Sequence, residues 1–208
     1  MITAIVGSGG KTSLIKQMAA RCLTEGKSVF VTTSTHMFIE ENTLCTDDAE
    51  DIISRLQETG YVMAGIAEGL KIKSLSAKTY EDVCAYADVV LVEADGSKHM
   101  PLKYPNETEP VVPENADEIL VVCGLHALGQ KAKDCCHRLQ LVKNCLGIED
   151  DTIITPAHVC KLVEEGYLKP LRKKYPDKKI TAVPKHDGSP CQQRIAAMLR
   201  EKWHATQL

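Results

Sequence analysis

The stretch IVGSGGKTSL, Ile5 to Leu14, decides how the rest of the chain is read. It leaves a short apolar run at Ile2 to Val6, crosses three glycines in four positions and ends in Lys11-Thr12. The usual phosphate-loop spacing, G-x-x-x-x-G-K-[ST], would place a glycine where this chain has Ile5, so the spacing is the shorter G-x-x-G-K-T. Backbone N–H groups in such a turn point inward and the following helix offers its positive end, a combination that binds polyphosphate. On this reading Gly7, Ser8, Gly9, Gly10, Lys11, Thr12 and Ser13 cradle a nucleotide, Lys11 reaches the terminal phosphates and Thr12 ligates Mg²⁺. The rival reading is a strand-to-helix turn whose Lys11 is merely exposed.

The surroundings favour the first reading. Short apolar runs alternate with helical patterns, which predicts a wound α/β sheet with parallel strands buried on both faces. Strands are expected at 2–6, 28–33, 88–94, 118–124 and 178–184. Between the first two, Leu14, Ile15, Met18, Ala19, Cys22 and Leu23 recur at helical spacing and Gly26 supplies a stop. Further helices are expected at 46–58, 79–87, 134–146 and 156–165, with a strand-like pair turning at Glu68-Gly69. The Thr155-Pro156 and Ser189-Pro190 pairs read as helix starts, and Ile195, Leu199 and Trp203 form the apolar stripe of the last helix. The expectation is one domain over 1–208, a three-layer, mostly parallel α/β sheet like that of P-loop NTPases.

A phosphate loop needs an acid across from it to hold the metal. The run VVLVEADG supplies Glu93 and Asp95 at the end of a buried strand, where alternate residues face one side. Glu93 is the first choice for the Mg²⁺-side acid, with Asp95 as second ligand or water-positioning group. The end of the second strand carries TTSTHM, Thr32 to Met37, in which His36 could orient a water. These segments meet at the carboxyl ends of the strands, where α/β folds bind ligands. The final strand closes with PKHD, whose Lys185 and Asp187 match the guanine-reading N-K-x-D of GTPases while Pro184 replaces its asparagine, so ATP and GTP both stay open.

The formal net charge of -3 gives no electrostatic footprint for nucleic acid. The basic cluster Lys169, Arg172, Lys173, Lys174, Lys178 and Lys179 is interrupted by prolines and reads as a solvated face. No basic lead-in precedes a long apolar run and no stretch approaches bilayer length, so a cytoplasmic protein without membrane contact is expected. The nine cysteines are then thiols, and DCCH at 134–137 lacks the spacing of a structural zinc site.

Taken in order, GSGGKTSL, TTSTHM, VEADGSKHMPLKYP with TEPVVP, VVCGLHALGQ and the pair His137-Arg138 resemble the YqeC family, described as accessory proteins of selenium-dependent molybdenum hydroxylases. The short loop is also similar to those of Mur ligases. The family resemblance implies a P-loop NTPase fold and a role in maturing a selenium-containing molybdenum hydroxylase, with Gly10, Lys11, Thr12, Glu93 and Asp95 at the nucleotide. Independently, prolines 101, 105, 110 and 113 stiffen a connection long enough to be functional. In it, Lys98, His99 and Lys103 could receive an anion, and Arg138 could supply a charge-stabilising guanidinium. The expected function is an Mg²⁺-dependent NTPase serving a client enzyme or its cofactor. A small-molecule kinase or nucleotidyl or ligase-type transferase, and a non-catalytic nucleotide-gated adaptor, are the alternatives. The sequence leaves monomer and homodimer open.

Overall fold

The computed structural model describes residues 1–96 and 98–205. The chain divides into two compact units, one built from residues 1–5, 12–96 and 111–118, the other from 6–11, 98–110 and 119–205. Both are α/β.

In the first unit, strand β1 (Ile2–Gly7, whose last two residues belong to the second unit) leads to helix α1 (Lys11–Thr24) and strand β2 (Val29–Thr33). There follow β3 (His36–Phe38), β4 (Thr43–Cys45), α2 (Ala49–Thr59), β5 (Tyr61–Glu68), β6 (Lys71–Lys73), α3 (Ala77–Cys84) and β7 (Val89–Glu93). β1 pairs with β7, β7 with β2, β2 with β5 and β4 with β5, all parallel. β6 then continues the sheet antiparallel to β5, and β3 antiparallel to β6. The mixed sheet is therefore mostly parallel, as unbroken apolar runs require when both faces are covered.

Phe30, Ile52, Leu56, Val62, Val83, Val90 and Val92 form a core in which α2 and α3 cover the sheet. α1 buries Ile15 and Ala19, one helical turn apart, while Leu23, expected in the stripe, is 37% exposed. α2 starts where Asp48 accepts from the amides of Glu50 and Asp51, and stops at Gly60 in the left-handed conformation. The expected helix at 46–58 begins later because residues 43–45 are drawn into the sheet beside β5.

In the second unit the elements are β8 (Leu102–Lys103), β9 (Glu118–Gly124), α4 (Ala132–Cys135), β10 (Cys136–His137), α5 (Leu139–Leu146), α6 (Pro156–Val163), α7 (Lys169–Lys174), β11 (Lys179–Lys185) and α8 (Pro190–Ala205). β9 and β11 are sheet neighbours, and β8 and β10 form a separate parallel pair. Thr155 caps α6 reciprocally with His158, and Ser189 Oγ accepts from Gln192 N at 3.4 Å at the start of α8. Leu199 and Trp203 are buried, and Trp203 Nε1 donates to the Cys160 carbonyl at 3.5 Å.

The helix expected at 134–146 is not continuous. Cys136 and His137 are extended against Leu102 and Lys103, and Arg138 adopts φ 60°, so a short helix ends at Cys135 and another begins at Leu139. α6 and α7 are joined by a π-helical turn, Glu164–Leu168. Among the described residues, no helix is long and apolar enough to cross a membrane.

The first unit's core predicts a large loss from truncation at its centre. Phe30→Ala, at a fully buried ring, should lower unfolding free energy by about 3–5 kcal/mol in urea denaturation.

Candidate functional site

The loop after β1 is shaped by backbone contacts inside the second unit. Gly7 has φ 89°, and a Cβ there would sit 2.1 Å from the Val122 carbonyl oxygen. The same oxygen accepts from Ser8 N at 2.9 Å. Gly9, at φ 75°, lies so close to Pro101 and Gly124 that a Cβ would meet the Pro101 oxygen at 2.5 Å. Ser8 Oγ donates to that oxygen at 3.0 Å and Gly124 N at 3.1 Å. Two strand-end carbonyls thus hold the turn, and only glycine fits at either position.

Lys11 is 4% exposed, and its Nζ donates to the Gly7 carbonyl at 2.8 Å. This is not the exposed lysine of an ordinary turn: the ammonium folds back over the loop that precedes it. Gly10 packs under the Lys185 side chain, whose Cγ would be 3.1 Å from an added Cβ.

The first unit holds the acids. In register, Ile5, Glu93 and Thr33 lie side by side, so the carboxyl ends of β1, β7 and β2 meet at Glu93. Ser34 N and Thr33 Oγ1 both donate to the Glu93 carbonyl, at 3.1 and 2.8 Å. Thr12 Oγ1 donates to Glu93 Oε2 at 3.2 Å. Glu93 is 8% exposed, and Asp95 is fully buried just beyond the strand. Ala94 between them is fixed by its amide on Ile5 and its carbonyl on Val111. The first turn of α1 carries no acid that would repel an anion, and Ser13 there is exposed.

Of three further expected residues, His36 and Asp187 are engaged by other groups, and Lys185 lies against the glycine loop. His36 is exposed on β3, where its Nε2 pairs with Glu68 Oε2 at 2.8 Å, and that hydrogen bond lowers the Glu68 carboxyl below its ordinary range. Hydrogen bonds from the Ser189 side chain and then its amide, the latter at 2.8 Å, lower the Asp187 carboxyl and tie it to the start of α8. Lys185 contributes its stem to Gly10 as described. Ser97, within the long proline-bearing connection, lies outside the described residues.

Sequence reasoning named Lys103 and Arg138 but missed the carboxylate they share, Glu109. The Lys103 side chain has no solvent exposure, and its Nζ pairs with Glu109 at 2.7 Å. Arg138 Nη1 pairs with the same carboxylate. Burial alone would raise the Glu109 pKa, but hydrogen bonds from Arg138 and Lys103 hold it down to about 2. His137, beside them, is kept toward its neutral form by burial and by the charges of Arg138, Lys103 and Lys98. Lys98, His99 and Arg138 are the non-glycine residues of positive φ among those described. The available signal was the run of charges Lys103, Glu109 and Arg138 at otherwise apolar or proline-bound positions, but nothing local says which carboxylate meets which cation. All nine cysteines are free thiols; Cys135 and Cys136 are buried with their sulfurs 3.8 Å apart.

A family profile described as YqeC protein matches residues 3–140, a span that takes in the glycine loop, both acids and Arg138. The chain belongs to the YqeC family. It is 32% identical over 174 residues to the Escherichia coli (strain K12) protein named "Uncharacterized protein YqeC", a match covering 78% of this chain and 67% of that one. The YqeC match ends two residues past Arg138, so α6 to α8, and α5 apart from its first two residues, lie beyond the profile.

The carboxylate of Glu109 generates a pH prediction. A carboxyl depressed from 4.5 to about 2 stabilises the fold above the higher value and loses that contribution as pH falls toward the lower. Glu109→Gln should therefore destabilise the protein at neutral pH by on the order of 3 kcal/mol, because a buried cation loses its partner. The gap from wild type should narrow between pH 4.5 and about 2, as followed by chemical denaturation across that range.

Proposed function

We propose that this YqeC-family chain is an Mg²⁺-dependent nucleoside-triphosphate-binding protein that acts as an NTPase. The observation that carries this reading is the hydrogen bond between Thr12 Oγ1 and Glu93 Oε2, 3.2 Å long. It brings a hydroxyl and a carboxylate oxygen together, the hard oxygen donors that Mg²⁺ takes. Thr12 and Glu93 would hold the ion, with the buried Asp95 as the next acid along the chain. When bound, Mg²⁺ would neutralise charge on the phosphate oxygens.

The chain's own residues supply the rest. The Lys11 ammonium exchanges the Gly7 carbonyl for terminal phosphate oxygens, a swap of one buried acceptor for a charged and stronger one. The backbone from Gly7 to Ser13 wraps the phosphates at the amino end of α1, where the helix dipole is favourable. Asp95 positions the attacking water and accepts its proton as the new bond to the γ-phosphorus forms, the bond to the β–γ bridging oxygen breaks and the nucleoside diphosphate leaves. His36, paired with Glu68 on an exposed strand, has no assigned part in this scheme. Asp187 accepts from Ser189 N through Oδ1 alone, which leaves its other oxygen able to accept, so both ATP and GTP fit this reading.

The resemblance on which the family was first read supports a finer reading, in which nucleotide binding is coupled to maturation of a selenium-containing molybdenum hydroxylase. Its first step is testable without the client. Isothermal titration of ATP and GTP with Mg²⁺ should show nucleotide binding to wild type that weakens at least tenfold in Lys11→Ala. In Thr12→Ala, adding Mg²⁺ should no longer tighten binding. If wild type and Lys11→Ala bind both nucleotides equally poorly, the reading fails. Release of inorganic phosphate from the bound nucleotide separates hydrolysis from binding alone, and label appearing on an added acceptor would identify a transferase.

A further inference from the structure

Within the second unit, residues 104–110 rise as an arch whose two ends are tied together. Lys103, immediately before it, pairs with Glu109 near its far end, and Arg138 holds the same carboxylate from beside α5. The arch is also stiff within itself. Asn106 Oδ1 accepts from Thr108 N at 3.2 Å and Thr108 Oγ1 at 3.0 Å, and Glu109 N donates to the Asn106 carbonyl at 3.2 Å. It therefore does not collapse onto the helices beneath. A cavity of about 780 Å³ remains, broadly open to solvent and lined by the arch together with Leu141 of α5, Gly166, and Pro170, Leu171 and Lys174 of α7. Preformed pockets for small organic molecules fall in the range of roughly 300–1,000 Å³.

Two backbone features border this space. Gly166 lies in the π-helical turn, and a Cβ on it would come within 3.2 Å of both the Tyr104 ring and Pro105. The turn is thus kept bare where the arch crosses it. Arg138, left-handed although it is not glycine, directly precedes the helix that carries Leu141. Both π-turns and left-handed side-chain-bearing residues persist where the surrounding structure holds them against their cost, and they concentrate at binding sites.

We propose that this cavity is a second ligand site, separate from the glycine loop, for a flat, uncharged, ring-bearing organic molecule. Pro105, Pro110, Leu141 and Leu171 offer apolar walls, while Asn106 and Thr108 offer polar edges. The exposed Glu107 and Lys174 carry opposite charges, and Glu109 already has two cationic partners. A charged ligand would gain one of these side chains and be repelled by the other. A neutral ring with hydrogen-bonding edges meets no such conflict.

The site does not depend on the nucleotide reading, and the test keeps them apart. Titration of the full chain with 1-N-phenylnaphthylamine, a neutral aromatic probe whose fluorescence rises on leaving water, should show saturable binding of one molecule. Leu141→Trp and Thr108→Trp, which fill the cavity from below and from the arch, should each weaken it at least tenfold. Lys11→Ala should bind the probe as wild type does. Absence of saturable binding, wild-type affinity in the tryptophan variants, or loss of binding in Lys11→Ala would each overturn the proposal. Should Leu141→Trp fail to fold, Thr108→Trp, at an exposed position, decides alone.

Discussion

One carbonyl oxygen, that of Val122, governs the glycine loop. It accepts from Ser8 N and stands where a Cβ of residue 7 would have to be. The close approach leaves β1 no course but to turn at Gly7, and the turn brings the Lys11 ammonium back onto the Gly7 carbonyl. The shortened spacing follows from the same contact. Ile5, where the longer motif would have its first glycine, is fully buried in β1 and in register with Glu93. The two residues that seem to be missing from the loop are spent as strand, so the turn starts later without losing its closing Lys-Thr.

Much of this frame was legible because it is local. β1, β2 and β7 are unbroken apolar runs, and such runs have few alternatives to a buried parallel strand. The starts of α6 and α8 follow from a hydroxyl and a proline in adjacent positions. The placement of Glu93 at the carboxyl end of β7 was legible for the same reason, since it closes an unbroken apolar run.

What escaped sequence reasoning depends on partners far along the chain. Residues 134–146 have a composition compatible with one helix, yet Cys136 and His137 are extended because Leu102 and Lys103, more than thirty positions earlier, offer a strand edge. No local pattern encodes a two-residue strand. His36 shows the same limit from the other side: TTSTHM reads as one hydroxyl-rich loop, but β6 recruits its last two residues into antiparallel pairing, and the imidazole meets Glu68. Asp187 matched a base-reading position by spacing, while the amide of Ser189, two residues on, donates to one oxygen of its carboxylate.

The Lys103–Glu109–Arg138 cluster changes the electrostatic argument for the site. Sequence reasoning offered Lys103 as a receptor for an anion and Arg138 as a charge-stabilising guanidinium, both of which assume cations available to a ligand. Each instead faces a carboxylate held ionised far below its ordinary range. Withdrawing Arg138 toward a phosphate would leave Glu109 with Lys103 alone in a partly desolvated setting, where removing one partner of an ion pair is costly. The hydrogen bond from Lys11 to the Gly7 carbonyl is of a different kind, because a carbonyl dipole is a weaker partner for an ammonium than a phosphate oxygen. Lys103 and Arg138 are thus committed to Glu109, while Lys11 is the cation of the glycine loop itself, folded back onto the Gly7 carbonyl.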